Sequence, residues 1–319
     1  MPWRVAIGSN RGDDLNARYV VHRLLQSLLV MLGVTVVVFY ALHLGGDPAA
    51  LMLPPEASFE EIAAFRQAMG FDRPLWVQYI DYLSRLLQGD FGVSLRFQRP
   101  VLELIVERLP ATLLLALAAL SWSTLLGFFL GVVAALRPGS AIDFFARCIA
   151  LMGQALPVFW LGLLLILLFS LHWRLLPTGG YGELRHLILP AVALGAYYMS
   201  AVTRLVRDSL IDALGQDYVR TARAKGLSEW RVIRRHALRN ALIPVITVQA
   251  MEFAALLGGA LVTEVIFSWP GIGRLAVQAI QNRDLPLVQV IVLFAAAIFV
   301  LVNLLVDLLY ALLNPRIRL

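Results

Sequence analysis

The chain has 319 residues, of which 60% are hydrophobic and only 15% charged, with a mean hydropathy of +0.76. Apolar stretches of about 18 or more residues recur along it, which excludes a soluble two-domain protein and marks an integral membrane protein. In that setting the net charge of +6 is topogenic arginine rather than a nucleic-acid surface, and Cys148, the single cysteine, excludes an intrachain disulfide or a thiolate metal cluster.

Apolar runs lie at residues 20–43, 110–136, 143–171, 187–207, 241–263 and 287–312. Each suffices for a hydrocarbon core of about 30 Å at about 1.5 Å of rise per residue. The expectation is an all-α polytopic bundle with six transmembrane helices. Residues 1–19 form an N-terminal tail. The first run, at 20–43, follows Arg18 and Arg23 and ends at His43-Leu44-Gly45-Gly46 without a small-x-small cleavage site. It exceeds the roughly 7–15 apolar residues of a secretory signal, so it reads as an uncleaved anchor.

Residues 44–109 read as an external helical cap. Ser58 and Glu61 have the spacing of a capping box ahead of Ile62, Phe65 and Met69, and Gly70 closes that helix. A second helix opens at Pro74, carries Trp76, Ile80, Leu83 and Leu87 at helical spacing, and stops at Gly89. Trp76, Tyr79, Tyr82 and Phe91 suit either an interfacial belt or contact with a substrate.

The core then spans residues 110–312 as five further helices, with a coupling segment at 209–240 and a short tail at 313–319. Pro157, Pro190 and Pro244 interrupt or open spans, and Gly127, Gly131, Gly162, Gly195, Gly258 and Gly259 permit close helix approach. With six spans the termini share a side. The tails, the 137–142 loop with its flanks and the 204–240 segment hold 17 of the 27 basic residues, which assigns them to the cytoplasm.

Residues 217–244, DYVRTARAKGLSEWRVIRRHALRNALIP, form the one strongly basic insert between long apolar runs. Residues 218–225 suit a short helix, Gly226 a left-handed stop, and Ser228 a cap for a second helix with Glu229 in its first turn. That second helix runs almost directly into a span, which is no place for a DNA-reading helix. The arginines also suit an anionic lipid surface. A phosphate-cradling loop needs glycine before its lysine. Lys225 is the only lysine and follows Ala224, so the chain has no Walker A site. The histidines at 22, 43, 172, 186 and 236 show no metal or hydrolase spacing, which leaves no catalytic or metal-binding set.

Arg220, Thr221, Ala222, Arg223, Ala224, Lys225 and Gly226 resemble the seven-residue, glycine-terminated "EAA" loop of ABC-type importer permeases, with Arg-Thr-Ala standing for Glu-Ala-Ala. YVRTARAKGL followed by RHALRNALIP is similar to the B-type permease of dipeptide and oligopeptide importers. So are Gly89-Asp90-Phe91-Gly92, LPVFWLG at 156–162, LLPTGGYG at 175–182, EVIFSWPGIG at 264–273, RDLPL at 283–287 and NPRIR at 314–318, which extend the resemblance over nearly the whole chain.

The resemblance implies a type I ABC importer transmembrane fold in a bacterial inner membrane, forming half of a translocation pathway by alternating access. Implied partners are a second, C-type permease, two cytoplasmic ATPases that carry ATP and Mg2+, an external peptide-binding protein and membrane lipid. No cofactor belongs to this chain and no nucleic acid is expected. Tyr218, Arg220, Thr221, Ala222, Lys225, Gly226 and Leu227 would couple to an ATPase. Dipeptides are the first substrate expectation and longer oligopeptides the next, while the same subfamily also includes permeases for nickel, glutathione and haem. A secondary transporter that works without an ATPase is the rival class, although the chain shows no internal repeat of the kind such proteins use.

Two carboxylates fall inside expected spans, where ionisable groups mark functional candidates. Glu252 would line the pathway, and Asp307, one turn after Asn303, would pair with a neighbouring helix.

Overall fold

The computed structural model describes residues 11–44, 47–53 and 56–313, and among them the regular structure is helical apart from one isolated bridge, Val93 to Pro100. The residues up to Phe91, with those from Val292 onward, form one compact unit; Gly92–Ile291 form a second. NPRIR and both extreme tails lie outside the described residues.

The first unit contains α1 (Arg11–Leu44), α2 (Pro48–Met52), α3 (Phe59–Met69) and α4 (Leu75–Leu87). The expected capping box is present. Ser58 accepts from the Glu61 N–H at 3.2 Å while the Glu61 carboxylate accepts from the Ser58 N–H at 2.8 Å. That backbone bond, ahead of the Ser58 hydroxyl, holds the Glu61 carboxyl below its ordinary value. Gly70 ends α3 at φ 71°, a left-handed conformation that glycine adopts without steric cost. No residue of α4 is buried, yet its inward side is anchored. Tyr79 shares a 2.9 Å hydrogen bond with Thr35 of α1, and the Phe39 ring lies 5.4 Å from Tyr79 and 5.7 Å from Tyr82. Trp76 and Leu87 remain 64% and 82% exposed, so the expected aromatic belt separates into two packed tyrosines and a free indole.

The second unit is built on α5 (Val101–Leu136), α6 (Ala141–Ala155), α7 (Val158–Leu165, continued by a π-helical turn over Ile166–His172) and α8 (Leu184–Leu214). It then adds α9 (Asp217–Ala224), α10 (Glu229–Arg231, with a π segment at Val232–Ala237), α11 (Leu238–Gly259), α12 (Leu261–Ile266) and α13 (Ile272–Gln281). The first residues of α14 (Leu285–Leu313) belong here too, and the rest of that helix belongs to the first unit.

Glycine lets α5 and α8 approach closely. A Cβ on Gly127 would stand 2.7 Å from the Met199 carbonyl oxygen, one on Gly131 2.7 Å from that of Thr203, and one on Gly195 2.8 Å from that of Ala119. No side chain fits in those gaps, so the two backbones pack as small-residue membrane helices do. The core beside them holds Leu115, Ala119, Leu194, Tyr198, Leu256 and Trp269. Pro157 marks a 107° bend between α6 and α7, because proline cannot donate to the preceding turn.

Four described helices are long and apolar enough to cross a membrane, and the bent pair makes a fifth. The remaining expected crossing coincides with the 22-residue α11, which runs through Pro244. Boundaries differ from expectation, α1 already beginning at Arg11 within the expected tail. The second run's helix starts at Val101 and passes through Pro110, and α8 continues past 207 to Leu214 as one helix.

At the Leu184 end of α8 a polar lock holds α13. Thr112 accepts from the Ile272 N–H at 2.9 Å and donates to Glu264 at 2.7 Å. Glu264 accepts from the Arg274 N–H at 3.0 Å and also from the Gly273 N–H. The first three N–H groups of α13, which no helix can satisfy internally, are thus all paired. Trp269 donates to the Ala111 carbonyl at 2.8 Å and meets the Tyr181 ring at 4.9 Å, and the Gly180 N–H bonds the Phe267 carbonyl at 2.9 Å. LLPTGGYG and EVIFSWPGIG are therefore one packed structure. Buried Asp284, of the RDLPL run, likewise accepts from the Ser94 hydroxyl and from the Leu95 and Arg96 N–H groups at 3.2 Å.

Candidate coupling elbow

The opposite end of α8 turns at Gly215 and Gln216 into α9, and the chain reverses again at Gly226. Gly226 has φ 76° with open space around its Cβ position, so the turn demands glycine for its backbone and not for room.

Of DYVRTARA only Val219 and Ala222 are buried, three positions apart and hence on one helix face. Those two are buried against Ala135, Leu210, Ala213, Val232, Ala237 and Ala241, with Leu227 and Leu238 packed on the same cluster. Burying a valine contributes about 1.5–3 kcal/mol, so this small contact is what seats α9. The expected coupling residues therefore divide. Tyr218, Arg220, Thr221, Lys225 and Gly226 are exposed, whereas Ala222 faces inward and Leu227 helps hold the seat.

Thr221 donates its hydroxyl to the Asp217 carbonyl at 3.0 Å, within its own helix, and Arg220 pairs with Asp217 at 3.3 Å. Ser228 stands at the capping position of α10 but its side chain makes no cap bond, contrary to expectation. Glu229 is drawn instead to Arg223, whose Nε and Nη2 donate to the two carboxylate oxygens at 2.7 and 3.3 Å. That fork closes the elbow across Gly226.

Behind the seat, fully buried Asp143 ties α6 to α8. It receives Arg207 Nε at 2.7 Å and Nη2 at 3.0 Å, the Gly139 N–H at 3.0 Å, and Arg147 at 3.3 Å. A planar guanidinium matches a carboxylate in this way, which fixes angle as well as distance. Val219, the Arg223–Glu229 fork and the Asp143–Arg207 bolt went unseen in the sequence. Only the three-residue spacing of Val219 and Ala222 signalled any of them.

Beyond the elbow, helix continues without a break from Glu229 to Gly259. Glu252 lies half-buried on α11. One turn earlier, Gln249 accepts from Thr124 of α5 at 2.6 Å. Asp307 lies on α14, and its side chain falls outside the described residues.

The family described as "Binding-protein-dependent transport system inner membrane component" matches residues 127–319, and its N-terminal companion matches residues 16–116. The chain is 45% identical to the glutathione transport system permease protein GsiC of Salmonella typhimurium, covering 94% of this chain and 98% of that one. It is 41% identical to the dipeptide transport system permease protein DppB of Escherichia coli K12, again over 94% and 98%.

Among solved structures, the inward-facing MetNI methionine ABC transporter aligns with a TM-score of 0.57 at 17% identity, over 67% of this chain and 98% of its own. An amino acid ABC transporter aligns with a TM-score of 0.55 at 18% identity, over 66% and 94%. These two likenesses concern the fold, which is that of type I ABC importer transmembrane subunits. The chain belongs to the binding-protein-dependent transport system inner membrane components: it is a multi-pass, non-catalytic permease subunit of an ABC importer, in which ATP hydrolysis belongs to a separate subunit.

Proposed function

We propose that this permease forms half of the path for dipeptides or short oligopeptides, and that α9 docks in a groove of a cytoplasmic ATPase carrying ATP and Mg2+. One observation carries the coupling reading: Val219 and Ala222 seat α9 on the bundle while Tyr218, Arg220 and Lys225 project away from it, between two continuous helices. The likeness to a dipeptide and a glutathione permease supports a short-peptide cargo, since glutathione is itself a tripeptide. Nickel and haem have no such support here, and family membership sets the ATPase-independent transporter aside.

In this reading both termini and the 209–240 segment face the cytoplasm, residues 44–109 lie outside, and the core of 110–312 pairs with a C-type permease that receives cargo from an external binding protein. ATP-driven closure moves α9, and α8 and α11 transmit the shift to the bundle.

The test is Gly226→Trp in the assembled importer. The added Cβ has open space around it, and the strained backbone costs about 1–2 kcal/mol, so membrane insertion persists while docking is obstructed. Peptide-stimulated ATP hydrolysis and uptake should both fall by about tenfold or more. Wild-type rates at normal expression would refute the docking role.

Glu252 is proposed to meet the cargo's ammonium group, because a half-buried carboxylate inside a span is costly unless it has a task. Glu252→Gln should weaken uptake of peptides with a free amino terminus more than of N-acetylated ones. Equal transport by the variant and wild type would make the residue structural. Asp307 is proposed as a structural intramembrane charge.

A further inference from the structure

Between the elbow and the apolar part of α11, Arg235, His236, Arg239 and Asn240 line a groove of about 560 Å³. Arg235 with Arg239, and His236 with Asn240, are four apart, so all four side chains share one helix face. None of them has a hydrogen-bond or ion-pair partner among the described residues. The carboxylates nearby in sequence are committed elsewhere, Glu229 to Arg223 and Asp217 to Arg220. The groove thus gathers two guanidinium forks, an imidazole and an amide with no internal anion.

Its position selects the anion. The groove ends at Asn240, immediately before Ala241, which is buried, and the apolar run that follows to residue 263. Five residues of helix rise about 7.5 Å, which is close to the depth of one polar headgroup layer outside the hydrocarbon core. Arginine binds phosphate oxygens two at a time, and basic pockets beside spans at this level accept lipid headgroups.

We propose that Arg235 and Arg239, assisted by His236 and Asn240, bind the phosphate of an anionic lipid headgroup at the base of α11. This rests on the membrane-embedded, cytoplasmic placement of the elbow given above. A lipid held there braces α11 against the bilayer on the same helix that carries the elbow's movement.

The test uses the intact importer purified with its ATPases, with bound lipid counted by native mass spectrometry during titration with phosphatidylglycerol or phosphatidylethanolamine. The double variant Arg235→Gln/Arg239→Gln should bind phosphatidylglycerol about tenfold more weakly, with a smaller loss for zwitterionic phosphatidylethanolamine, and the Arg→Lys pair should recover part of the loss. Displacement of phosphatidylglycerol by excess inorganic phosphate would support a phosphate site open to either source. Equal phosphatidylglycerol retention by wild type and the Gln pair would overturn the proposal. So would loss of the ATPases from the Gln pair with its lipid intact, which would make the groove a protein contact. Failure of the docking reading is separate: Gly226→Trp would then couple normally while the lipid difference between wild type and the Gln pair persisted.

Discussion

The two ends of α8 are held by opposite means. At the Leu184 end, the fully buried side chains of Trp269, Phe267 and Glu264 interlock, and Thr112 and Glu264 bond the first turn of α13. At the Leu214 end the contact is made by aliphatic side chains, alanines with Val219, Val232 and Leu210, with charges facing outward and one carboxylate, Asp143, turned in. Large aromatics and a dense polar network resist displacement, whereas a seat of small aliphatics, with Leu210 its one fully buried leucine, has less to lose when it shifts. The molecule is therefore stiff at one end and seated lightly at the other, and the light end is the one proposed to receive the ATPase.

The comparison breaks most readily at the stiff end. Glu264→Ala removes the acceptor for two helix-start N–H groups and for the Thr112 hydroxyl, and should cost about 3 kcal/mol of stability, read as an earlier thermal unfolding transition in detergent. If it unfolds like wild type, the lock is not what holds α13. A smaller effect belongs to the light end. Asp143→Ala leaves Arg207 without its fork but still partly solvated and beside Asp208, so the expected loss is about 2 kcal/mol. It should also loosen α6 from α8 as faster amide exchange over residues 139–147, leaving exchange around residues 264–274 unchanged. Parallel changes at both sites would mean the two ends are one cooperative lock.

Much of this was legible in the sequence because bilayers impose long apolar runs and turns impose glycine. The six runs, the Ser58–Glu61 box and the left-handed stop at Gly226 are strong local signals. Contacts between distant segments were not. Asp143 follows Ser140 in a loop-like context, and nothing in the sequence shows that Arg207, 64 positions on, reaches it. Glu264 was visible only as part of a recurring segment, since its partner Thr112 lies 152 residues away. Ala222 belongs to the aligned motif, and its three-residue spacing from Val219 puts it on the face packed against the bundle. Ser228 has the right residue type for a cap, but the ionic attraction of Glu229 to Arg223 closes the turn in its place.

The π segment over Val232–Ala237 sets an angular phase. Each π turn accommodates roughly one residue more than an α turn, and in an ordinary helix one residue corresponds to about 100° of rotation. Whichever way α9 points, the side of α11 that bears Glu252 is thereby dialled to a different azimuth from the one a plain α-helix of the same length would give. The wide turn works as a vernier between the elbow at one extremity and the face of α11 further along that carries Glu252, so the number of residues between Gly226 and Glu252 matters as much as their identities.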